Sequence, residues 1–534
     1  MPNSQDIRSE GEKVSRAAGV VSVFTFLSRV LGLIRDMVIA SLFGSGMSAD
    51  AFFVAFRIPN LLRRLFAEGS LTIAFIPVFT EYLTRKGKND AFEMARIVLT
   101  ILSLALVVIT VLGVLFSPWI VRIQAFGFGG SGMKYDLTVL LTRITFPYIL
   151  FISLVAFFMG VLNSLRHFAA PAAAPILLNV GIIGGAYLLS PHFSEPIVGV
   201  ALGVFIGGLL QMALQIPWIM KSGMRLLPSW MPAHPAVRRI GRLMLPAVFG
   251  SAVYQFNQFM GTLLASFLPE GSISWLYYAD RIVQFPLGVF AIAISTAVLP
   301  SLSGHAAEEN VDEFNRTLSH ALRLVFFVTI PATVGLIILG RQIISILLQR
   351  GEFSAYATLM TDQALFYYTL GLCAFSGIRI LVSAFYALQD TKTPVKVAVV
   401  AVVANIALSL MLMGPLRHGG LALALSLASS LQFCLLAVLL FRRVRALAVG
   451  PFLVSAGKSG IASLVMTLTL LGAKRWWLVS GPQAGLLHNI FCLGALIALG
   501  AGSYLVSVWC MRAEELKALT GMFGLSAKQR LNAE

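Results

Sequence analysis

The sequence predicts an all-α polytopic membrane protein of about 14 transmembrane helices, two pseudo-symmetric six-helix lobes plus two extra C-terminal helices. Three observations predict it. The 534-residue chain is 58% hydrophobic and 12% charged, with a mean hydropathy of +0.85, too apolar for a surface that meets water on every side. Its apolar residues fall in runs of about 20 or more, the length a helix needs to cross about 30 Å of hydrocarbon. Motifs of the first half also recur in the second at nearly constant spacing.

In chain order the apolar segments are 15–43, 49–83, 91–117, 136–164, 172–190, 196–220, 236–268, 272–304, 314–338, 354–388, 394–414, 418–441, 450–472 and 484–510. The opening MPNSQDIRSEGEKVSR is polar and mixed in charge, and the run behind it is too long and too arginine-containing for a cleaved signal sequence, so the first helix is expected to stay. The second, eighth and tenth segments exceed one crossing and imply tilt or protrusion.

Orientation follows from basic residues in the short loops, which favour the cytoplasm. Loops after even-numbered segments carry 14 of them: Arg85, Lys86, Lys88, Arg166, Lys221, Arg225, Arg238, Arg239, Arg242, Lys392, Lys396, Arg442, Arg443 and Arg445. Loops after odd-numbered segments carry 7: Arg122, Lys134, Arg341, Arg350, Arg417, Lys474 and Arg475. Both termini are therefore expected in the cytoplasm, in agreement with the basic tail Arg512, Lys517, Lys528 and Arg530. The formal charge of +17 reflects topology and anionic-lipid contact, not nucleic acid.

ASLFGSGMSADAFFVAFRI from Ala40 resembles ASFLPEGSISWLYYADRI from Ala265, an offset of 225. LNSLRHFAAP ending at Pro171 resembles FYALQDTKTP ending at Pro394, an offset of 223, and VALGVFIGGLLQ ending at Gln211 resembles LALALSLASSLQ ending at Gln432, an offset of 221. The first six helices and the next six are then parallel repeats, the layout of an alternating-access transporter. The expected organisation is an N-lobe over 1–225, a C-lobe over 226–446, and the last two helices with a cytoplasmic tail over 447–534.

Arginines inside these apolar runs point to the chemistry. A charge at the centre of a bilayer costs at least ~3 kcal/mol, so it persists only where protein or water solvates it. Arg29 lies well inside the first helix, with Arg35 and Asp36 nearer its outer side; Arg29 and Asp36 share a face while Arg35 points about 120° away. On the second helix Arg57 and Arg64 share a face, with Arg63 beside it, Glu68 one turn below, and Pro59 and Asn60 loosening the backbone. The matching helix of the C-lobe supplies Asp280 and Arg281, with Ser274 on the face of Arg281. Alternatives stay open for several of these. Asp36 serves equally as a structural partner of an arginine, Asp50 as an N-cap of the second helix, and Arg63, Arg64 and Glu68 as interfacial charges.

A planar guanidinium donates two hydrogen bonds to phosphate oxygens and stays charged at any physiological pH. Arginines in excess of acids therefore suggest a phosphate-bearing substrate; a cationic-drug pump needs the reverse. The four cysteines, Cys373, Cys434, Cys492 and Cys510, sit in or at the end of helices without metal spacing, and no cofactor or metal is expected. Nor is there a soluble catalytic domain with paired carboxylates, so the chain is expected not to be an enzyme. Gly460, Ala462, Gly494 and Gly500 on the last two helices suit either a lipid-tail groove or close helix packing.

SRVLGLIRD, ADAFFVAFRIPNLLRRLFAEG, WLYYADRIVQFPLGV with TAVLPSLS, and AFYALQDTKTPVK resemble the MurJ (MviN) family of bacterial lipid II flippases, in the multidrug/oligosaccharidyl-lipid/polysaccharide exporter superfamily. The resemblance runs over essentially the whole chain. It implies a multi-pass protein of the bacterial cytoplasmic (inner) membrane that moves lipid II, the undecaprenyl-diphosphate-linked peptidoglycan precursor, from the inner to the outer leaflet by alternating access. The family's required positions match Arg29, Arg35, Asp50, Arg63, Ser274 and Arg281 here, which are the expected substrate contacts, with the diphosphate held by Arg29, Arg35 and Arg281; the neighbouring Asp36, Arg57, Arg64, Glu68 and Asp280 are expected to support them. In that family helices 1, 2, 7 and 8 line a cationic cavity, and helices 13 and 14 form a groove for the lipid tail. Lipid II and membrane lipids are the expected partners of a monomer, with the membrane potential or an ion gradient as driving force. The sodium site of some members is not carried over: Asn257, Asn405 and Ser409 stand in those regions, but no carboxylate does. Competing readings are a flippase for another lipid-linked oligosaccharide and a cation/drug antiporter of the same superfamily.

Overall fold

The computed structural model describes residues 4–63, 71–444, 449–480 and 485–516. Among them the chain is helical with no strand. The helices are α1 (Ser4–Phe43), α2 (Met47–Leu62), α3 (Thr72–Arg85), α4 (Lys88–Leu115), α5 (Ser117–Gln124), α6 (Met133–Thr145), α7 (Tyr148–Ser164), α8 (Ala169–Gly184), α9 (Ile197–Lys221), α10 (Pro235–Ser266), α11 (Ser272–Pro286), α12 (Ile292–Ala307), α13 (Val311–Leu348), α14 (Ala355–Thr369), α15 (Leu372–Ala387), α16 (Lys392–Val444), α17 (Val449–Ser480) and α18 (Leu486–Cys510).

Nine helical stretches among the described residues are long and apolar enough to cross a membrane, and α14 with α15, bent by 43° at their break, makes a tenth. Several expected spans are broken helices. The fourth splits into α6 and α7 around Phe146 and Pro147, where a ring replaces a backbone N–H. α11 runs into α12 through a wider, π-type turn, Leu287–Ala291, directly after Pro286. α16 joins two expected spans at a kink where Arg417 adopts φ +50°. A Cβ on Gly420 there would lie 2.2 Å from the Leu412 carbonyl oxygen, which explains a glycine at that corner.

The chain forms two compact units, Met1–Ser274 with Arg350–Phe353, and Trp275–Gln349 with Ser354–Glu534. In the first, Phe75, Phe79, Phe92, Phe157, Phe158 and Val161 build a core joining α3, α4 and α7. A close seam runs where α8 and the turns that follow it pack on α9. Cβ atoms added at Gly181, Gly185, Gly199 or Gly203 would come within 2.3–2.6 Å of the facing backbone, the close approach that small residues permit between membrane helices. In the second unit Leu302, Phe314, Leu318, Leu381, Phe385 and Leu436 join α12, α13, α15 and α16, while Ala462, Met466, Leu470, Leu496 and Tyr504 join α17 and α18 to Phe327 of α13. Arg323 of α13 pairs with Glu515 at 2.6 Å and Glu514 at 2.7 Å, just beyond α18.

Two of the sequence repeats correspond in backbone detail. Helices start at Met47 and Ser272, 225 residues apart and each one residue after a glycine. The turns after α7 and α15 place Arg166 and Gln389, offset by 223, at φ +63° and +58°. Each is followed by the same closing bond, His167 N–H to Leu162 O at 2.8 Å and Asp390 N–H to Phe385 O at 2.9 Å.

Candidate functional site

The α1 arginines lie in very different surroundings. Arg35 is buried: Nε and Nη2 fork onto Oδ1 of Asp36 at 3.0 and 2.7 Å, and Nη1 donates to Oδ1 of Asn179 at 3.1 Å. Asn179, from α8, donates back to the Ser28 carbonyl at 3.1 Å. Ser28, Gly32 and Arg35, spaced at i, i+4 and i+7, are thus the α1 face that meets α8. Asp36 lies one residue off that face, yet the long arginine stem lets the guanidinium reach it. Arg29 is also one residue off, and its side chain is exposed; among the described residues it makes no hydrogen bond or ion pair.

Asp50 corrects the reading of it as an N-cap of its own helix. α2 begins at Met47 behind Gly46, and Asp50, 1% exposed, turns away to the start of α11. Its Oδ2 accepts the Gly271 N–H at 2.8 Å and Lys134 Nζ at 2.9 Å, while Oδ1 accepts the Ser274 N–H at 3.0 Å and hydroxyl at 2.7 Å. A carboxylate on the free N–H groups of a helix start is a cap and meets the positive end of the helix dipole. Here a different helix supplies it.

On α2, Arg57 Nη2 donates to Gln258 Oε1 of α10 at 3.1 Å, and Arg63 Nε donates to Oδ1 of Asn60 at 3.1 Å. Arg64 and Glu68 lie outside the described residues. In the second unit, Arg281 donates through Nε and Nη2 to the Tyr277 hydroxyl at 3.2 and 3.0 Å, its guanidinium 5.0 Å from the ring centroid. Beside it, Asp280 accepts from Gln284 Nε2 at 2.6 Å.

Sequence reasoning left Asp36 open as the structural partner of an arginine, and the Arg35 fork is that pairing; it grouped Asp50 with Ser274 only as members of one candidate set. It missed Lys134, counted as a loop charge, and the amides Asn179 and Gln258. The lone amide in ILLNVGII and the cluster of three in QFNQFMG are the signal that could have found them, since an amide in an apolar span needs a polar partner.

The family model described as lipid II flippase MurJ matches residues 39–494. A probable lipid II flippase MurJ of Vibrio cholerae is 39% identical over 525 residues, covering 95% of this chain and 98% of the relative. A lipid II flippase MurJ of Burkholderia cenocepacia is 36% identical over 506 residues, covering 93% and 97%. Among solved structures, a lipid II flippase MurJ in an inward closed conformation superimposes with a TM-score of 0.77 at 28% identity, covering 92% of this chain and 98% of that one. An inward-facing multidrug resistance transporter of the MATE family shares the fold, with a TM-score of 0.67 at 14% identity over 81% and 99% of the two chains. On the length of these matches, the chain belongs to the lipid II flippase MurJ family.

Proposed function

We propose that this protein moves lipid II across the bacterial cytoplasmic membrane by alternating access, supplying peptidoglycan synthesis, with Arg29 as a ligand of the lipid-linked diphosphate. One observation carries the assignment: Arg29 stands inside an apolar helix, exposed, with no protein partner among the described residues. A guanidinium there needs water or an anion to solvate it. Its planar fork suits phosphate oxygens.

Arg35, Asp50 and Ser274 take a different part. Arg35 is committed to Asp36 and Asn179, and the Asp50 carboxylate with the Ser274 hydroxyl to the start of α11. We assign these three to holding the helices that carry the ligating arginines, and Arg63 and Arg281 to further contacts with the substrate during the cycle. The 1–225 and 226–446 lobes are read as the repeats of that cycle, supported by the equivalent turns at Arg166 and Gln389. Both termini are read as cytoplasmic, on the loop charges. The work is transport without covalent chemistry. A potential negative inside favours return of an empty cationic site to the inner face, at about 2.3 kcal/mol per charge per 100 mV if it crosses the whole field.

The test is lipid II translocation in vesicles containing the purified protein, wild type against Arg29→Ala. Loss of translocation in a folded variant is expected. Unchanged translocation would remove Arg29 from the mechanism.

A further inference from the structure

α5 is built inside out for a helix in water. Its inward stripe is Ser117, Val121 and Gln124, at i, i+4 and i+7. Ser117 Oγ accepts from Arg143 Nε at 3.1 Å, and Gln124 Nε2 donates to the Val54 carbonyl at 3.4 Å. The stripe turned outward is Phe116, Trp119, Ile123 and Phe126, exposed by 52, 62, 61 and 58%, with Arg122 the charged side chain among them. A helix at a water surface hides its apolar stripe and shows its polar one. This one satisfies its polar groups inward and presents aromatic and aliphatic side chains.

The exposed stripe continues a membrane-facing surface. α4 crosses the hydrocarbon with Leu104, Val108, Val111, Leu112 and Leu115 exposed, and Phe116 and Trp119 follow Leu115 within one helical turn. We propose that α5 is an interfacial helix seated in the headgroup zone of the leaflet at the C-terminal end of α4, and that its occupant is the phospholipid surface itself. Trp119 sits where an amphipathic ring is favoured, half in hydrocarbon and half at the headgroups. Arg122 lays its stem along the apolar stripe and carries its guanidinium to lipid phosphates.

The seat is coupled to the transport helices of the same unit. Gln124 ties α5 to α2 through Val54, the turn after Asp50. Beyond α5, the Gly127 N–H donates to Ser266 Oγ at the end of α10 at 3.0 Å. The approach is so close that a Cβ on Gly127 would fall 2.4 Å from the Ser266 carbonyl. Lipid contact at α5 therefore fixes a reference level in the membrane for α2 and α10.

The test uses the full chain with its four cysteines replaced by serine, reconstituted in phosphatidylethanolamine/phosphatidylglycerol vesicles. Trp119→Cys and Ile123→Cys are each labelled with a nitroxide, beside Val108→Cys as a hydrocarbon reference and Asn89→Cys as an aqueous one. Accessibility to oxygen and to a neutral nickel chelate is then read by power saturation. The proposal expects oxygen-to-nickel ratios at 119 and 123 several-fold above that at 89 and below that at 108, the signature of the headgroup zone. Ratios equal to that at 89 would place α5 in water and overturn it. Protection from both reagents would mean that protein, including a second copy of this chain, covers the stripe, and would overturn it equally. Lipidic ratios in vesicles holding this protein alone leave lipid as the only occupant.

Discussion

Lys134→Met isolates the Asp50 carboxylate from its only cationic partner among the described residues. The substitution keeps the length of the side chain and removes its charge. Asp50 is 1% exposed on its side chain, and Lys134 20%. Removing one member of a buried ion pair costs about 3–5 kcal/mol, because the remaining charge is left uncompensated. Three neutral donors stay on Asp50, namely two backbone N–H groups and the Ser274 hydroxyl, and Lys134 itself is partly solvated. The lower end, about 3 kcal/mol, is therefore expected, equivalent to roughly a hundredfold in an opening equilibrium.

Native-state hydrogen exchange reads this directly, since the Gly271 and Ser274 amides are the two that Asp50 holds. Both are expected to exchange up to about a hundredfold faster in Lys134→Met, with lipid II translocation reduced alongside. Lys134→Arg keeps the charge and restores both. Asp50→Asn combined with Lys134→Met removes both charges and is expected to be more stable than Lys134→Met alone, because the penalty lies in the unpaired carboxylate. Wild-type exchange at 271 and 274 in Lys134→Met would refute the reasoning, and so would a double variant no better than the single one.

Arg29→Ala and Arg35→Ala should separate cleanly. The first removes a side chain with no protein partner among the described residues and is expected to shift thermal stability by no more than about 0.5 kcal/mol while abolishing translocation. The second takes the forked contact from buried Asp36 and a donor from Asn179 and is expected to cost about 3 kcal/mol or more, seen as a lowered unfolding temperature in detergent. Gly203→Leu drives a side chain into Gly181 of α8, whose carbonyl oxygen already lies 2.5 Å from the Cβ position; yield of folded protein by size exclusion should collapse. Asp390 supplies the pH test. The Thr393 N–H foremost, then the Thr393 hydroxyl, Arg443 and the Lys392 N–H, hold its carboxyl below the ordinary range. Its contribution is therefore present above the unfolded value, near ~3.9, and is lost as pH falls through the lower folded value. Asp390→Ala is expected to cost ~1 kcal/mol of cap energy at neutral pH, with its gap from wild type closing below about pH 4 in thermal melts.

The fold was legible because a bilayer imposes a length. Segments such as 196–220 and 484–510 correspond to α9 and α18 within two residues, since an apolar run must span the hydrocarbon and its polar flanks mark the ends. The breaks were not legible. The 43° bend between α14 and α15 falls at Leu370 and Gly371 with no proline, and a glycine inside an apolar span reads as ordinary packing until the facing chain is seen. Within the site, the charges were readable and their partners were not. A helical wheel placed Arg35 about 120° from Arg29 but could not show that the Arg35 fork reaches Asp36 and Asn179, because stem length and the register of α8 against α1 are tertiary facts. Lys134 looked like topology for the same reason: nothing local to GSGMKYD says that its ammonium meets a carboxylate 84 residues earlier.

That separation of charges bears on how one helix can both stand in the membrane and work there. If every arginine of α1 were bound by protein, its charges would be neutralised and the helix would offer an anion nothing; if none were, the helix would carry several uncompensated charges through hydrocarbon. The chain places the two roles six residues apart. Arg35 is spent on a forked contact with Asp36 of its own helix and on a hydrogen bond to Asn179 that ties α1 to α8. Arg29, on the adjoining face, is left outside that network. An anion arriving at Arg29 therefore need not break an ion pair with any described residue, and its binding energy is not spent on displacing a carboxylate among them. Adding an acid should show this: Val30→Asp, with the Arg35–Asp36 pair left intact and Val30→Asn as the uncharged control, puts a carboxylate beside Arg29 and is expected to weaken lipid II binding at least tenfold relative to the control, the effect of about 1.4 kcal/mol of internal competition. Retained affinity in that variant, measured on purified protein with folding checked by thermal unfolding, would show that Arg29 does not act as the open cation.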